Sequence, residues 1–534
     1  MAKQLTVQPL PNFGVNGLNT QSNPNALDPS YLTSADNIVL RESGRISFRK
    51  GLKQKVVPSG AAINSIVEHN DQGTKKIFAS HGTSIYTIDF TSPDAAFPSS
   101  GADVKHTVTG STGDWQFINF NNRLHCLHSG VVPQRYSGAA SSGSKWAAFD
   151  NATRPPTVTS GEFKPSCGTG FYGRMWVGGV EEAPDVLHYS ALLDSDDYTT
   201  SSGGGSIDLK KVWGKDDIIA IAPFYGMLAV FGRYNIALYE SPDVIGSIKL
   251  NEVIKGVGCI SRDSVQAVGD DLLFMSATGL RSLARTSEKD KVPLMDLSIN
   301  IKDTVIRNIS QSTNVKSVYV ENEGIYIVSF VDKDINYVFD FKHFTENKVP
   351  RITTWSFNND RQPTSMCYTD TYGYLTGQKD GGIAGYEGYF DTDLAWVSSA
   401  ASYTNSGINA DVSSIWIPLS QGSIASLLKK MILVLEGGSG ATLGLRWYKD
   451  FSPNSSSTTS INLRPATTGT TALWGASTSL YGASKFTPIY GLAEYQTSLS
   501  GSAKTLKLNM SLLSNGYNAS IQDLSILHLQ GKIR

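Results

Sequence analysis

The chain has 534 residues, with 46 Lys and Arg against 47 Asp and Glu, a formal net charge of -1. Proteins that grip nucleic acid through its phosphates usually carry a basic surplus, so tight general DNA binding is disfavoured and only a local basic patch stays open. Charged residues make up only 17% of the chain, whereas Gly (50), Tyr (23) and Phe (21) are plentiful. This composition predicts an all-β protein with many short strands and tight turns.

The first segment, Met1 to Gly51, is rich in Asn, Pro and Gly and is interpreted as an extended arm. We predict one strand near Asp36 to Leu40 and another near Arg45 to Phe48. A propeller must close its ring, and pairing an N-terminal strand into the last blade is one way to do so. The start of the arm lacks the apolar region of a signal peptide, and no apolar run approaches the roughly 20 residues of a membrane-spanning helix. We therefore expect a soluble protein without an export signal.

A repeat becomes visible when turns, rather than residues, are aligned. Each unit has a strand, a polar or Gly turn, a second strand, another turn and a third strand. The units begin near Ile63, Trp115, Pro165, Ile218, Asp263, Val315 and Thr364, and their first turns fall near Asp71, Asn121, Tyr172, Tyr225, Gly269, Glu321 and Asp370. Their spacing of roughly 45 to 53 residues is typical of propeller blades of about four strands. The pattern predicts a six- or seven-bladed β-propeller.

The repeats end near Tyr389, and the rest of the chain has a different pattern. Within the repeats, the segment from Asp296 to Ser310 is a candidate for a short helix or a connection between blades. Ala400 to Ser414 is polar and is interpreted as a linker, and the short apolar runs from Ile415 onwards, spaced by Ser, Thr and Gly, are typical of a β-sandwich. We predict an arm with closing strands over residues 1–60, a propeller over 61–395 and a C-terminal β-sandwich-like domain over 396–534.

Several stretches resemble a known family. The arm carries a pattern of small and polar residues at Gly17, Asn19, Asp36, Asn37, Gly44, Arg49, Lys50 and Gly51. Similar stretches follow later in the chain. They are WQFINFNNRLHCLHSGVVPQRYSG from Trp115, GRMWVGG…LHYSALLDSDDYT from Gly173, and VGCISRDSVQAVGDDLLFMSATGLRSL from Val257. From about Asn12 to Tyr389 the chain resembles the tail nozzle, or tail tubular protein B, family of short-tailed phages.

The resemblance implies a structural virion protein that is synthesised in the host cytoplasm and becomes part of the phage tail. Such a subunit forms a ring, usually of six copies, below the portal and adaptor proteins. Double-stranded DNA passes through the central channel of the ring during ejection, and other tail proteins, including tail fibres, are further partners. No catalytic residue is carried over by the resemblance, so we expect no enzymatic activity, no cofactor and no metal ion.

The alternative is a receptor-binding or glycan-degrading tail propeller. Sialidase-like propellers repeat S-x-D-x-G-x-x-W boxes, and the nearest stretch here, Ser111 to Trp115, lacks that spacing. A glycosidase needs two carboxylates placed across a cleft. Asp194, Asp196 and Asp197 are clustered, but they lie in a Ser-, Thr- and Gly-rich loop that is better interpreted as a solvated turn.

Other residues that suggest chemistry are better explained structurally. On a strand, His125 and His128 point to opposite faces, and Cys126 shares a face only with His128, which gives too few metal ligands. Gly203 to Ser206 lacks the Gly-Lys-Ser/Thr ending of a phosphate loop. The four dispersed cysteines, Cys126, Cys167, Cys259 and Cys367, are predicted to be unpaired.

Two interpretations of a DNA channel stay open. A near-neutral chain can line a channel with carboxylates and uncharged polar groups, because basic side chains slow a sliding polyanion. We expect such an acidic to neutral lining. In the competing interpretation, a local basic ring that includes Lys210, Lys211 and Lys215 holds the DNA as a gate.

Overall fold

The structure is a computed structural model that describes residues 5–41, 45–90, 96–159, 161–240, 244–284, 296–357, 361–388, 392–397, 402–419, 424–438, 441–463, 490–513 and 518–530. The chain divides into two compact units. The propeller unit comprises Gln54–Asn336 and Phe357–Tyr386. The sandwich unit comprises Met1–Lys53, Tyr337–Ser356 and Glu387–Arg534.

The arm forms short strands, which are β1 (Leu5–Pro9), β2 (Gly17–Leu18), β3 (Tyr31–Asp36), β4 (Ile38–Leu40) and β5 (Ile46–Phe48). Strands β4 and β5 lie where the sequence predicted two strands. Gly17 has a φ of +73°, and a Cβ at this position would lie 2.6 Å from the carbonyl oxygen of Ile352. Only glycine therefore allows this part of the arm to pair closely with Ile352.

The propeller unit consists of antiparallel sheets that follow one another along the chain. The first four sheets have four strands each: β7 (Ser65–Asp71), β8 (Thr74–His81), β9 (Ser84–Ile88) and β10 (Lys105–Thr107); β11 (Gln116–Phe120), β12 (Arg123–His128), β13 (Val131–Ser137) and β14 (Trp146–Ala148); β15 (Cys167–Phe171), β16 (Arg174–Gly178), β17 (Val186–Tyr189) and β18 (Gly205–Asp208); β19 (Ile218–Phe224), β20 (Met227–Gly232), β21 (Asn235–Glu240) and β22 (Lys249–Lys255). The fifth sheet has the three strands β23 (Gln266–Val268), β24 (Asp271–Ser276) and β25 (Gly279–Ser282).

Two further positions complete the ring. Strands β26 (Val315–Val320) and β27 (Ile325–Phe330) and the first residues of β28 (Ile335–Phe344) take the sixth position. The last sheet contains β30 (Pro363–Thr369), β31 (Gly373–Gln378) and β32 (Ile383–Tyr386), with β6 (Leu52–Val56) as its outer strand. The described residues of the propeller unit thus form six separate sheets. Strands β26, β27 and β28, which belong to a larger sheet, occupy one further position in the ring. Strand β6 closes the ring by the predicted pairing of an N-terminal strand into the last blade.

The first strand of each sheet is innermost and lies beside the first strands of its neighbours around a common centre. These strands begin at, or within a few residues of, the predicted repeat starts. The predicted all-β class and β-propeller are therefore confirmed. The prediction succeeded because each inner hairpin has a local signal, such as the Tyr225-Gly226 turn between β19 and β20.

Apolar cores fill the spaces between neighbouring blades. Between the third and fourth blades, for example, Cys167, Trp176 and Leu187 lie in one cluster with Leu228 and Val230. Each such buried side chain contributes about 1.5–3 kcal/mol through removal of apolar surface from water. Packing between neighbouring sheets therefore holds the blades of the propeller unit together.

Two short helices have both ends within the described residues: α1 (Lys210–Trp213) and α2 (Lys302–Gln311). The segment from Asp296 to Ser310, interpreted as a short helix or a connection between blades, contains a 3-10 turn at Ile299–Ile301 and most of helix α2. Further 3-10 turns lie at Asn151–Thr153, Thr200–Ser202, Ile245–Ser247, Arg262–Ser264 and Val331–Lys333. Among the described residues, neither helix has the length and hydropathy needed to cross a membrane.

The described residues of the sandwich unit form two main sheets and a separate hairpin. Its remaining strands are β29 (Pro350–Trp355), β33 (Thr392–Val397), β34 (Ser402–Gly407), β35 (Asn409–Ser414), β36 (Ile417–Pro418), β37 (Ser426–Gly438), β38 (Thr442–Lys449), β39 (Thr459–Asn462), β40 (Tyr490–Ser498), β41 (Ser502–Ala503), β42 (Thr505–Leu513) and β43 (Ser520–Gln530). One sheet runs β4-β5-β43-β37-β40, and the other contains β29-β2-β3-β35-β42-β38-β39. Alternate residues of β37 and β42 are buried, so each sheet has one core face.

The unit boundaries differ from the predicted divisions at residues 60 and 395. The arm belongs to the sandwich unit because β1 pairs with β43 and β3 pairs with β35. The interpretation of Ala400 to Ser414 as a linker was wrong for its described part, residues 402–414, which form β34 and β35. In β35 the small apolar residues Ala410 and Val412 face the core, while polar residues alternate with them.

The four cysteines are free thiols, and Cys126, Cys167 and Cys259 are buried. Burial raises the pKa of Cys167 to about 12 and that of Cys259 to about 11, so both stay protonated and unreactive at neutral pH. We expect a thiol reagent, without reductant, to react slowly with the native protein and to find four thiols after unfolding. Finding two or fewer in the unfolded protein would contradict the prediction of unpaired cysteines.

Candidate functional site

Four charged side chains meet at the centre of the propeller, at the end where the inner strands begin. Asp114 precedes β11, Arg262 and Asp263 lie in the turn before β23, and Lys316 is in β26. Lys316 Nζ lies 2.6 Å from Asp114 Oδ1 and 2.7 Å from Asp263 Oδ2. Arg262 Nη2 lies 3.0 Å from Asp114 Oδ1, and its Nε lies 3.0 Å from Asp263 Oδ1. We call these four residues the axial cluster.

The axial cluster closes this end of the propeller. Asp114 belongs to the second blade, whereas Arg262 and Lys316 belong to the fifth and sixth positions of the ring. Because these blades are not neighbours, their ion pairs cross the centre. The Lys316 and Arg262 side chains are only 8% and 13% exposed, whereas Asp114 is 51% exposed. Asp114 therefore lies on the solvent side, above two largely buried cations.

The electrostatics of the axial cluster favour permanently ionised groups. Burial by itself raises the pKa of Asp263, but the charges of Arg262 and Lys316 and their hydrogen bonds outweigh it and hold that pKa well below its usual range. Burial lowers the pKa of Arg262, but the charges of Asp263 and Asp114 outweigh this and raise it. Both groups are therefore charged at neutral pH.

Arg262, Asp263 and Lys316 of the axial cluster help to line a depression of about 190 Å³. Polar side chains of neighbouring blades line it and connect the inner strands, as when Gln116 Nε2 donates to the Gly168 carbonyl (3.1 Å) and Gln266 Nε2 donates to the Ser317 carbonyl (3.1 Å). Glycoside hydrolysis requires one carboxyl group that can act as an acid. Asp263 is unsuited to that role because two cations hold it ionised, so the depression offers hydrogen bonds to a small polar molecule but no acid–base pair.

Sequence reasoning missed most of this cluster. Asp114 was noticed only as part of the stretch Ser111 to Trp115, and Arg262 and Lys316 were not singled out. One signal was available: Asp114, Asp263 and Lys316 all lie close to the start of a repeat unit. Equivalent positions in successive blades meet at the centre of a propeller, so charges of opposite sign at those positions indicate ion pairs there.

The three clustered aspartates have structural partners. Asp196 forms ion pairs with Arg123 (3.2 Å) and with Arg135. Asp194 accepts a hydrogen bond from the Asp196 amide, and Asp197 accepts one from the Thr199 amide. The loop is therefore a turn held by its own carboxylates, and Asp196 is bound to the second blade rather than solvated as the sequence suggested.

The histidines and Cys126 do not form a metal site. Burial, followed by the nearby charges of Arg123 and Arg135, lowers the pKa of His125 to about 3, which keeps the ring neutral. His128 instead lies against the loop before β11, with its Nε2 2.9 Å from Thr112 Oγ1. Within the described ranges, no three His, Cys, Asp or Glu side chains are grouped closely enough to hold a metal ion.

The glycine-rich loop and the lysines lie away from the centre. Gly205 and Ser206 start β18, the outermost strand of the third blade, and α1 with Lys210 and Lys211 follows directly. Lys210 lies 3.9 Å from Asp185, and Lys211 lies 3.9 Å from Asp208. These lysines therefore belong to the outer rim of the propeller and not to its central end.

Large apolar side chains are exposed at the other end of the inner strands. Tyr172 and Tyr225 occupy equivalent turns of the third and fourth blades, and Leu192 and Leu193 lie in the loop that packs against the first of these turns. These four side chains are between 47% and 62% exposed. Tyr172, Tyr225 and Leu193 also have positive φ values of +47°, +47° and +61°. We call these four residues the turn patch.

The turn patch combines two unfavourable features. Left-handed backbone suits Gly and Asn, and bulky residues adopt it at a cost in free energy. The equivalent turns of the first and second blades carry Gln72-Gly73 and Asn121-Asn122 instead. The Tyr172 and Tyr225 rings do pack against Phe171 and Phe224, with ring centroids 4.3 Å and 4.7 Å apart. Both tyrosines nevertheless remain largely exposed in strained turns, and this combination marks the turn patch as a candidate contact surface.

Two of the arm residues that carried the family resemblance, Asn37 and Arg49, belong to a hydrogen-bond network in the sandwich unit, whereas Gly44 lies outside the described residues. Arg49, which is 2% exposed, donates from Nε to Asn37 Oδ1 (2.8 Å) and from Nη2 to the Ser356 carbonyl (3.2 Å). Asn37 donates to Ser356 Oγ (2.8 Å) and to the Asn409 carbonyl (2.9 Å). These signature residues therefore have an architectural role.

Comparisons with known proteins give a fold likeness only. No protein-family model matches the chain, and no curated protein matches its sequence. Among solved structures, the WD40 domain of Neurospora crassa Pan2 has 6% identity and a TM-score of 0.39 over 64% of this chain and 97% of that one. PorZ of Porphyromonas gingivalis has 9% identity and a TM-score of 0.36 over 70% and 44% of the two chains. An exo-β-1,3-galactanase of Phanerochaete chrysosporium has 9% identity and a TM-score of 0.28 over 79% and 96%. These similarities are too low to carry any function over.

Proposed function

We propose that this chain is a structural subunit of a phage tail, of the nozzle type, which assembles with further copies of itself into a ring around a path for double-stranded DNA. The turn patch is the observation that carries the proposal. Tyr172, Tyr225, Leu192 and Leu193 form an apolar surface whose strain and exposure are compensated when an interface buries it. The arm and the repeats resemble tail nozzle proteins, and this resemblance implies that the assembly is a ring in a phage tail.

The axial cluster adds a geometric condition to this proposal. Its ion pairs cross the centre of the propeller, so the DNA path of a ring runs between copies and not through one propeller. The proposed partners are further copies of the chain, usually six in total, the adaptor protein next to the portal, and other tail proteins, including fibres. The proposed location is the tail of the virion after synthesis in the host cytoplasm.

The double variant Tyr172→Asn/Tyr225→Asn tests the proposal. Asn tolerates the left-handed turns better than Tyr, so we expect the monomer to be as stable as the wild type or more stable, by up to about 1 kcal/mol for each turn. Assembly should be lost because the apolar surface is removed. Sedimentation and negative-stain imaging, with the protein alone and mixed with portal and adaptor proteins, measure the outcome.

Gln72→Asn is the matched control for that experiment. Gln72 has a φ of +52° in the equivalent turn of the first blade, so this change relieves the same kind of strain without touching the turn patch. The control should assemble like the wild type. Rings that form equally well with the double variant would contradict an assembly role for the turn patch, and a wild-type protein that forms no ring under any of these conditions would contradict the nozzle proposal.

A receptor-binding or glycan-degrading tail propeller is the second candidate, and the polar depression that the axial cluster helps to line favours it. The carboxylate that lines this depression, that of Asp263, is ion-paired with Arg262 and Lys316, which suits ligand binding better than hydrolysis. Release of sugar from bacterial polysaccharide, or binding of the purified protein to cells through this depression, would rank this candidate above the ring subunit.

A further inference from the structure

A trench crosses four strands on the outer face of one sandwich sheet. Strands β35, β42, β38 and β39 lie side by side, and their register places Asp411 opposite Ser511, Ser511 opposite Gly444, and Gly444 opposite Ser460. Directly opposed residues of antiparallel strands share a face. These four residues therefore form one row of small or short side chains, which is the floor of the trench.

Taller side chains stand on both sides of this floor. The next row on one side contains Asn409, Leu513 and Thr442, and the next row on the other side contains Asn509 and Arg446. The enclosed space is about 380 Å³, which falls within the range of small-molecule binding sites. Neighbouring strands are about 4.8 Å apart, so a floor of four strands is about 14 Å long.

The trench is built on a rigid base. The alternate residues of the same strands, such as Leu443, Leu445 and Met510, are completely buried in the core of the sandwich. The floor residues project from the same backbone on the opposite face, so their positions are fixed by core packing. A ligand would meet a preformed surface and would not have to order a loop.

The chemistry of the trench favours an uncharged, hydroxyl-rich ligand. Asp411 accepts hydrogen bonds from Ser34 Oγ (3.0 Å) and Asn509 Nδ2 (2.8 Å), and each of its oxygens can accept one more. Arg446 donates from Nε to Thr458 Oγ1 (2.7 Å), which leaves its two terminal nitrogens as donors. One carboxylate and one guanidinium balance each other in charge, and Leu513 is an apolar wall beside the hydroxyls of Thr442 and Ser511.

We infer that this trench binds a short stretch of a glycan. Sugars present many hydroxyl groups that both donate and accept hydrogen bonds, together with C–H faces that pack on an apolar wall such as Leu513. The balanced charge disfavours a polyanion such as nucleic acid, and a single apolar wall disfavours a hydrophobic peptide. The site lies wholly within the sandwich unit, so the inference holds independently of the ring that we propose.

Gly444→Leu fills the trench and tests the inference. A Cβ on Gly444 would lie 3.4 Å from Thr458 Cγ2 and 3.6 Å from the Ser511 carbonyl oxygen, which is ordinary contact, so the fold accepts a side chain there. Gln496→Leu is the matched control because Gln496 is an exposed strand residue on the other sandwich sheet. Arg446→Ala is a second variant, which removes a wall of the trench and leaves its floor unchanged.

The probe is an array of purified bacterial lipopolysaccharide O-chains, capsular oligosaccharides and peptidoglycan fragments, incubated with the full-length protein and followed by calorimetry on the best ligand. We expect the wild type and Gln496→Leu to retain the same glycan with equal affinity. Gly444→Leu should lose at least about tenfold in affinity, and Arg446→Ala should lose several-fold. Failure of the wild type to retain any glycan, or equal binding by Gly444→Leu, would overturn the inference. Ring assembly should be the same for every variant, so a failure here is distinct from a failure of the proposed function.

Discussion

Replacing Asp263 with Asn is expected to lower the free energy of unfolding of the propeller unit by about 3 kcal/mol, the low end of the range for breaking a buried ion pair. The variant keeps the size of the side chain but leaves Arg262 and Lys316, at 13% and 8% exposure, with one shared carboxylate, that of Asp114. The low end applies because the Asp263 side chain is itself 26% exposed. Urea unfolding of the purified variant, followed by far-UV circular dichroism, measures the loss.

Asp114→Asn is the control for this prediction. Asp114 contacts the same two cations but is half exposed. In the variant, water therefore solvates the two cations on that side and compensates for much of the lost ion-pair energy. Loss of the Asp114 carboxylate should cost less than about 1 kcal/mol. Equal losses for Asp114→Asn and Asp263→Asn would show that the two carboxylates are equivalent, contrary to the geometry of the axial cluster.

The contribution of Asp263 should also depend on pH. Its pKa in the folded protein is depressed, whereas an unfolded aspartate titrates near about 3.9. A depressed pKa contributes stability that is fully present above the unfolded value and is lost as the pH falls through the folded value. The difference in unfolding free energy between the wild type and Asp263→Asn should therefore be constant at neutral pH and shrink below about pH 4. A difference that grows on acidification would contradict the assigned ion pairs.

The propeller was predictable because its signals are local. A turn such as Tyr225-Gly226 and the apolar strands on both sides of it lie within a few residues, and the same pattern recurs from blade to blade. The membership of the arm in the sandwich unit was not predictable in this way. Strand β3 pairs with β35, which lies some 380 residues later in the chain; for example, Thr33 Oγ1 donates to the carbonyl oxygen of Ser414, 381 positions away. No residue near β3 in the sequence indicates this pairing.

The missed strand β35 has a related physical reason. Its core-facing residues include Ala410 and Val412, which are small, and the residues that alternate with them, Asp411 and Ser413, are polar. When only the sequence is considered, a polar segment with such a weak apolar alternation resembles a linker. Burial against the rest of the sandwich, which only the three-dimensional structure provides, makes this segment a strand.

The candidate sites depended even more on long-range contacts. The axial cluster joins residues that are as much as 202 positions apart in the sequence, and each of its charges by itself looks like an ordinary turn residue. The turn patch was visible as turns at Tyr172 and Tyr225, but the sequence did not show that both tyrosines are strained and exposed. The backbone angles and the exposure of the side chains in the folded chain identify these turns as a candidate interface.

Arg49→Met is expected to have the largest effect in the sandwich unit, with a loss of about 3–5 kcal/mol in unfolding free energy. Arg49 donates to Asn37 Oδ1, to the Lys50 carbonyl (2.9 Å) and to the Ser356 carbonyl from a buried position. Met retains the apolar contacts of the side chain and removes every donor, so buried acceptors lose their partners. Denaturant unfolding and hydrogen exchange of the segment around Asn37 measure the effect.

Two further variants separate charge from hydrogen-bond geometry. Arg45→Met removes a guanidinium that is half exposed and 4.0 Å from Glu436, so it should cost less than about 1 kcal/mol. Arg49→Lys keeps the positive charge near Asp36, but an ammonium group does not reproduce the planar donors of the guanidinium. We expect Arg49→Lys to lose at least half as much stability as Arg49→Met. If Arg49→Lys were as stable as the wild type, charge alone would suffice, and the arm signature of Asp36, Asn37 and Arg49 would not be explained by the hydrogen bonds that join it to Ser356 and Asn409.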